Sequence, residues 1–513
     1  MEKHVKKVAT STIILFILMG VSYVAAYFLR LVYARILTPA EYGLFYAVLG
    51  IVNFFIIFRD LGLSETLVKY IPEFKAKKEY DKIKSSIIFV TLVQFFVGLF
   101  IVICFWFLSD YLALNYFKNI PSQLVASASL LVKIISASYL IQGFTEVMTL
   151  TLNGFQKPRY YGVKDFVRNF FTLVIALFLY NFRNSVLIPG FAYIGGMVFT
   201  VVIMVFFFLR SFNIFRYKTK INFKLIKLFF GYSLQIMIGT GAGIIVGYAN
   251  TILLTYFSGI EAVGSFNIAL PTAGLMVIFA KTFGMILVPM SSELWIKKAK
   301  NKIKQILELI YHFLFIMIVP AIFTIFAFTD IVVRLVFGDK YLIREILILG
   351  IPVNETTLSL KILLIGILLS VIARINFCVI SGIGQPKKRT ISVYLAAFSS
   401  LIFSFVLIPF IHAVGASIAT SISYMVLLIC SFIFLRKFIE VNVPVLDWIK
   451  VSLIGVVYLT AIFFLKRVIE LPVFLEMGIV IGISMSVYVV LLFVFKVLKV
   501  EQIKKIFFCF FQM

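Results

Sequence analysis

Residues 38–84 read TPAEYGLFYAVLGIVNFFIIFRDLGLSETLVKYIPEFKAKKEYDKIK, and residues 258–304 repeat this stretch as SGIEAVGSFNIALPTAGLMVIFAKTFGMILVPMSSELWIKKAKNKIK. Each copy has an acidic residue and a glycine before a long apolar run, and a lysine-rich strip after it. An offset of 220 positions superimposes the charges, carrying Glu41 onto Glu261, Glu73 onto Glu293 and Lys77 onto Lys297. We interpret the stretch as one hairpin-like membrane unit used twice, which predicts two similar halves.

Apolar residues dominate the chain, which has 62% hydrophobic and 14% charged residues and a mean hydropathy of +1.09 over 513 residues. Apolar runs recur at roughly the 20-residue length that a helix needs to cross a bilayer. The sequence therefore predicts an all-α integral membrane protein with about 14 transmembrane helices. The predicted spans are residues 9–32, 43–68, 86–109, 126–150, 165–182, 187–209, 229–255, 263–288, 307–330, 358–380, 391–410, 413–435, 449–465 and 474–495.

The repeat extends beyond the opening stretch, because LNGFQKPRYYG at residues 152–162 returns 228 positions later as ISGIGQPKKRT. Each half then has six spans and both halves enter the membrane from the same side, so we expect two parallel-repeat lobes around a central cavity. The predicted domains are an N-lobe at residues 1–209, a basic cytoplasmic connector at 210–228, a C-lobe at 229–435, and two further helices with a tail at 436–513.

Lysine and arginine outnumber aspartate and glutamate by 48 to 22, which gives a formal net charge of +26. The basic residues concentrate in loops on one predicted side, whereas the opposite loops carry few, such as Arg35, Lys118 and Arg183. We expect the protein to lie in the plasma membrane. The positive-inside rule places both of its termini in the cytoplasm. We assign the charge to topology and anionic lipid, not to nucleic acid. The residues on the basic side include Lys69, Lys75, Lys77, Lys78, Lys82, Lys84, Arg210, Arg216, Lys218, Lys220, Lys224, Lys227, Lys387, Lys388, Arg389, Lys496, Lys499, Lys504 and Lys505.

Five strings carry a resemblance to a known family: ARILTPAEYGLF from residue 34, DLGLSETLVKYIPE from 60, GSFNIA from 264, FGDKY from 337 and GIGQPKKR from 382. In this order they resemble the polysaccharide-transporter branch of the multidrug/oligosaccharidyl-lipid/polysaccharide exporter superfamily, over about residues 8–436. The resemblance implies a two-lobed helical fold whose first, second, seventh and eighth spans line a central cavity. It also implies that a polyprenyl-linked glycan is translocated by alternating access.

Ionisable residues inside apolar spans are costly, so each marks a candidate site. In the second span, a step of about 100° per residue places Asn53, Asp60 and Ser64 on one face, with Arg59 on its flank. We expect Asn53 to line the cavity, Arg59 to attract phosphate and Asp60 to couple transport to a cation or proton.

In the eighth span, Asn267, Gly274 and Lys281 share a face by the same arithmetic, and an offset of 221 carries Asp60 onto Lys281. We expect Asn267 and Lys281 to contact substrate. Asp60 and Lys281, one from each half, are also candidates for an ion pair. The alternative is that Arg59 and Lys281 extend to the cytoplasmic interface.

The first span places Tyr23, Tyr27 and Arg30 on one face, where the rings would pack on sugar and the guanidinium would fork onto phosphate oxygens. An interfacial aromatic belt with an arginine is the alternative.

The seventh span carries Gly239, Gly243 and Gly247 at four-residue spacing. This spacing predicts close packing of another helix, or a bend that gates transport.

Motifs for catalysis are missing from the sequence: there is no GxxxxGK[ST] loop, HExxH pair or GxSxG elbow, and the histidines are His4, His312 and His412. We expect no enzyme activity, no cofactor and no metal, and we interpret His312 as a buried histidine with satisfied hydrogen bonds in preference to a proton relay.

The sequence thus favours a flippase for a polyprenyl-(di)phosphate-linked oligosaccharide, with the lipid-linked glycan, membrane lipids and glycan-assembly proteins as partners. The alternative is a cation-coupled multidrug antiporter of the same superfamily. A membrane enzyme that polymerises glycans is a third class, which would need a folded outer domain with paired carboxylates.

Overall fold

The computed structural model describes residues 2–157, 159–182, 185–348, 350–469 and 471–498. Arg183 and the tail lysines Lys499, Lys504 and Lys505 lie outside the described residues. Within them the helices are α1 (Glu2–Ile36), α2 (Pro39–Phe54), α3 (Ile56–Asp60), α4 (Leu63–Ala76), α5 (Tyr80–Tyr111), α6 (Ser122–Gly154), α7 (Arg159–Tyr180), α8 (Ile188–Ser211), α9 (Phe223–Phe257), α10 (Ile260–Gly274), α11 (Val277–Ile296), α12 (Lys300–Ala327), α13 (Thr329–Val336), α14 (Glu355–Gly382), α15 (Pro386–Arg436), α16 (Val445–Val468) and α17 (Val473–Val494).

Eleven helical segments in the described part of the chain are long and apolar enough to cross a membrane. Outside that set, α1 and α7 coincide with two more predicted spans. The 51-residue α15 contains non-helical backbone at Ile411 and His412, which divides it into the two spans predicted there. Every predicted span therefore falls on one or more helices, and the protein has an all-α integral membrane fold, as predicted.

One element was not anticipated, a hairpin in the loop before α14. Strands β1 (Glu345–Ile348) and β2 (Ile351–Asn354) pair antiparallel, with Glu345 opposite Asn354. The loop is fixed to α14 because Arg344 Nε lies 2.6 Å from the fully buried Glu355 carboxylate. The Asn354 side chain also accepts from the Thr357 N–H, which caps the first turn of α14.

The chain divides into two compact units. Unit 1 comprises Met1–Asn267, Val336–Tyr341 and Ser404–Ala416, and unit 2 comprises Ile268–Leu335, Leu342–Phe403 and Ser417–Met513. Unit 1 thus includes two short segments from the second half of the sequence. The predicted lobes at residues 1–209 and 229–435 are a different partition, based on the repeat, and stay a prediction.

In unit 2, His312 joins three parts of the fold. Its Nδ1 lies 3.2 Å from the Asp447 carboxylate of α16, and its Nε2 lies 3.0 Å from the Val497 carbonyl that follows α17. The side chain on α12 is buried and both ring nitrogens have partners. The interpretation of His312 as a satisfied buried histidine is therefore confirmed.

In unit 1, the glycines of the repeated stretch pack against each other. A Cβ on Gly43 of α2 would lie 1.8 Å from the Ile260 carbonyl oxygen, and one on Gly264 of α10 would lie 3.0 Å from the Pro39 oxygen. Both positions are related by the 221-residue offset. Equivalent glycines of the two halves thus let α2 and α10 approach at backbone distance, as small residues do between membrane helices.

We expect G43A to destabilise the protein by about 1–3 kcal/mol, because its methyl group would overlap the backbone of α10. G239A is the matched control, since a Cβ there meets no described atom within 4 Å and alanine favours helix. Thermal unfolding of both variants in detergent measures the difference. Equal unfolding temperatures for G43A and the parent would contradict the assigned contact.

Candidate functional site

The second span is interrupted inside unit 1. Helix α2 ends at Phe54, α3 is one turn, and α4 begins at Leu63 after Leu61 and Gly62, whose φ values are 50° and 72°. A Cβ on Gly62 would lie 2.4 Å from the Ser233 carbonyl oxygen of α9, so glycine alone fits this conformation and approach. The eighth span is interrupted too, between α10 and α11. Such interruptions leave backbone polar groups that need partners inside the protein.

Asp60 supplies partners at the interruption of the second span. One carboxylate oxygen accepts from the Gly62 N–H at 3.1 Å, and the other accepts from Gln94 Nε2 at 2.6 Å. The same Gln94 amide donates to the Ser64 hydroxyl. The half-buried carboxylate therefore connects α3, the start of α4 and the adjacent helix α5.

Arg59, next to Asp60, is only 1% exposed. Its Nη1 donates to the Tyr139 carbonyl and to Gln142 Oε1, both at 3.3 Å, on α6. The guanidinium also lies over the Tyr139 ring, 5.7 Å from its centroid. The Arg59 side chain therefore points into the helix packing of unit 1, and its predicted contact with phosphate stays a prediction.

Charged residues of α7 complete the interior of unit 1, and sequence reasoning missed them. Lys164 forms an ion pair of 3.1 Å with Glu146 of α6, and Arg168 one of 3.4 Å with Asp165. Glu146 also interacts electrostatically with Arg59 and Arg168. The predicted span for α7 began at residue 165, so residues 159–164 were assigned to a loop. A helix begun at residue 159 would have placed Lys164 and Arg168 one turn apart on one face.

Arg30 is half-buried at another place in unit 1. Its Nη1 donates to the Asn267 carbonyl at 3.3 Å, and its guanidinium lies 4.6 Å from the centroid of the Tyr46 ring. Electrostatic interactions extend to Tyr42 and Tyr248. In the described part of the chain, no carboxylate is within ion-pair distance of Arg30. This cation inside the membrane-spanning region is thus held by rings and a carbonyl.

The two tyrosines predicted beside Arg30 have different surroundings. Tyr23 is 54% exposed, and Tyr27 packs edge-on against Phe337 at 6.4 Å between centroids. The ring against the Arg30 guanidinium is Tyr46, from the next helix. Their contact with substrate stays a prediction.

The remaining predicted polar residues lie in both units. Asn53 and Asn267 are half-buried in unit 1, and the Asn267 amide donates to Val263 O at 3.0 Å. Lys281 is exposed on α11 of unit 2. The partners of the Asp60 carboxylate in the described residues include Gly62, Gln94 and Ser64, and its pairing with Lys281 stays a prediction.

The glycines of the seventh span face open space within the part of the chain that the structure describes. They lie in the continuous helix α9, and a Cβ at Gly239, Gly243 or Gly247 would meet no described atom within 4 Å. The packing interpretation stays a prediction, and the glycines that meet another helix in the described residues are Gly43 and Gly264. The gating bend stays a prediction.

Two solved structures share this architecture. A lipid II flippase, MurJ, in an inward closed conformation superimposes with a TM-score of 0.73 at 17% identity, covering 94% of this chain and 98% of that one. A multidrug resistance MATE family transporter in an inward-facing conformation gives a TM-score of 0.62 at 15% identity, covering 81% and 93%. The chain therefore shares the helical membrane fold of these two proteins.

Sequence comparisons identify the family of the chain. The profile of a family described as polysaccharide biosynthesis protein matches residues 8–295. A protein of Methanocaldococcus jannaschii, described as an uncharacterised membrane protein, is 30% identical over 494 residues, which is 94% of each chain. The chain therefore belongs to the polysaccharide biosynthesis protein family. It is also 21% identical over 292 residues to a probable low-salt glycan biosynthesis flippase of Haloferax volcanii, covering 56% of this chain and 58% of the relative.

We expect K164M to destabilise the protein by about 3 kcal/mol, because it removes the ion-pair partner of the Glu146 carboxylate inside the helix packing. The double variant E146Q/K164M removes both charges and should recover part of that loss. A double-mutant cycle of unfolding free energies in detergent measures the coupling. Additive effects of the two substitutions would contradict the ion pair.

Proposed function

We propose that this transporter moves a polyprenyl-(di)phosphate-linked oligosaccharide from the cytoplasmic to the outer leaflet by alternating access. Both termini lie in the cytoplasm in this proposal, as the distribution of lysine and arginine indicates. The glycan diphosphate occupies a polar cavity while its isoprenoid tail stays in lipid. The family match and the glycan flippase relative of Haloferax volcanii support a glycan substrate.

The observation that carries the proposal is the set of partners around the Arg30 guanidinium. Lys164 and Arg168 each have a carboxylate partner, whereas the described partners of Arg30 are a carbonyl and tyrosine rings. A guanidinium without a counter-ion in a membrane interior attracts an anion, and its fork matches phosphate oxygens. A half-buried position leaves part of it accessible to a ligand.

The other predicted residues take roles around this cation. Lys281 adds a second exposed positive charge, Tyr23 and Tyr27 pack on sugar, and Asn53 and Asn267 line the cavity. Asp60 couples transport to a cation or proton, since its carboxylate spans the interrupted helix and a change in its charge would alter the contacts of Gln94. Arg59, which is buried, acts on the phosphate by long-range attraction.

The contacts of the FGDKY segment support a state that is closed on the outer side. Lys340 Nζ donates to the carbonyls of Arg35 and Leu37 at the end of α1, and Arg35 Nε donates to the Val336 carbonyl at 3.2 Å. Lysine at free carbonyls stabilises a helix end. Burial and the nearby Arg35 lower the pKa of Lys340, so the charged form of this lysine is less stable in the contact than in water. Such a contact suits a gate that opens in each cycle.

We expect R30Q to lower glycan export about 10-fold or more, since a charge-assisted hydrogen bond contributes roughly 1.5–3 kcal/mol. R30K should fall between, because lysine keeps the charge but not the fork. Export is measured in a strain lacking the chromosomal copy, with the amount of folded protein in the membrane quantified. K302Q, at the exposed start of α12, is the matched control. Full export by R30Q would refute the assigned role.

Linking the outer gate should stop transport. In a cysteine-free background, the pair Leu37→Cys and Lys340→Cys is joined by a short thiol crosslinker, and export should fall to background and return on reduction. Either single cysteine treated in the same way is the control. Export that continues after complete crosslinking would show that this contact does not open.

A cation-coupled multidrug antiporter is the second candidate, and the carboxylates favour it. Asp60 and the exposed Glu65 lie on either side of the helix interruption, where they would suit a cationic drug. A drug-susceptibility assay and a glycan-export assay in the deletion strain separate the two. Drug sensitivity with normal glycan export would support the antiporter.

A further inference from the structure

A cleft of about 410 Å³ lies in unit 1 where the loop between α4 and α5 meets residues 212–222, here called the strap. Its lining includes Lys78, Lys82 and Lys220, with Tyr80 and Tyr217 as its aromatic side. None of these residues belongs to the site described above. The strap connects α8 to α9, and hence the first repeat to the second.

The cleft is held in place by hydrogen bonds between the strap and α5. The Lys218 N–H donates to Asp81 Oδ1 at 3.0 Å, and the Lys220 N–H donates to Ser85 Oγ at 2.8 Å. Lys84 Nζ donates to the Tyr217 carbonyl at 2.7 Å. Side chains of α5 thus fix the backbone of the strap, so the cleft is formed before any ligand binds.

Aromatic rings form one side of the cleft. Tyr217 stacks on Tyr80, with centroids 5.1 Å apart, and on Phe212, with centroids 5.3 Å apart. The Tyr217 ring therefore already has two stacked partners. A nucleotide base needs a ring face on which to stack, so this arrangement disfavours a nucleotide.

The charges at the cleft leave two cations for a ligand. Lys82 pairs with Glu79 at 2.7 Å, and Asp81 is used by the strap. The Lys78 and Lys220 ammonium groups are exposed and have no partner in the part of the chain that the structure describes. Two ammonium groups at one cleft suit a ligand with several anionic oxygens, such as a phosphate ester.

Exposed apolar side chains near the cleft indicate the source of that phosphate. Phe215 is 83% exposed, Phe223 is 77% exposed and Ile221 is 38% exposed, and they alternate with Arg216 and Lys218. Aromatic and aliphatic groups interleaved with cations are typical of a segment that lies in the headgroup region of a bilayer. A phosphate ion free in solution would not contact these apolar side chains.

We propose that this cleft binds the phosphate headgroup of an anionic phospholipid, with Lys78 and Lys220 on its oxygens and Phe215 and Phe223 in the lipid around it. The bound headgroup joins the loop before α5 to the strap, at the connection between the two repeats. The lipid is a bound component and not the transported substrate. Only its assignment to the cytoplasmic leaflet rests on the proposed orientation.

The test is a titration of phosphatidylglycerol, with phosphatidylcholine in parallel, into the detergent-purified full-length protein, followed by native mass spectrometry. The parent protein should retain phosphatidylglycerol in preference to phosphatidylcholine. K78Q/K220Q should bind it roughly 30-fold more weakly, about fivefold for each lysine near an anionic surface. Both residues are exposed, so the folded state should survive, and the unfolding temperature checks this.

The matched control is K224Q/K227Q, which removes two exposed charges from the start of α9 outside the cleft. It should leave phosphatidylglycerol binding unchanged. Equal loss in both double variants would show general charge attraction and overturn the site, as would unchanged binding in K78Q/K220Q. Inorganic phosphate that binds as tightly as the lipid would overturn the lipid assignment. None of these results depends on glycan export.

Discussion

A bilayer offers no water to a broken helix, so the interruption between α3 and α4 persists only where the protein replaces the lost hydrogen bonds. Asp60 does this through the Gly62 N–H and Gln94, while Arg59 binds carbonyl and amide oxygens of α6. Helix α9 approaches Gly62 at backbone distance. The packing of α5, α6 and α9 in unit 1 is therefore organised around one discontinuity in the repeated stretch.

The charges of unit 1 divide by their partners. Lys164 and Arg168 are neutralised by carboxylates, which is what a membrane interior requires of a structural cation. Arg30 is satisfied by a carbonyl and by rings, which hold a guanidinium without cancelling its charge. The half-buried Arg30 guanidinium therefore keeps a net positive charge, which suits an anionic ligand. A guanidinium paired with a carboxylate would not attract one.

The duplicated stretch brings its own contact. Gly43 and Gly264 are equivalent positions, and their missing side chains let α2 meet α10. Near that end of α2, the FGDKY segment supplies Lys340 to the open carbonyls at the end of α1. Segments from both halves of the sequence therefore meet within unit 1, which explains why a contact-based division differs from one drawn by the repeat.

The sequence by itself determined the membrane class, the helical nature of the predicted spans and the repeat, because hydrophobic length and charge offsets are local properties. It also identified the second span as the place of intramembrane charge. The tertiary structure alone decided which residues are partners: Tyr46 lies against Arg30, Lys164 against Glu146, and Gly43 against the backbone of α10. Spacing along a helix tells which residues share a face, but which neighbour that face meets depends on how distant segments fold together.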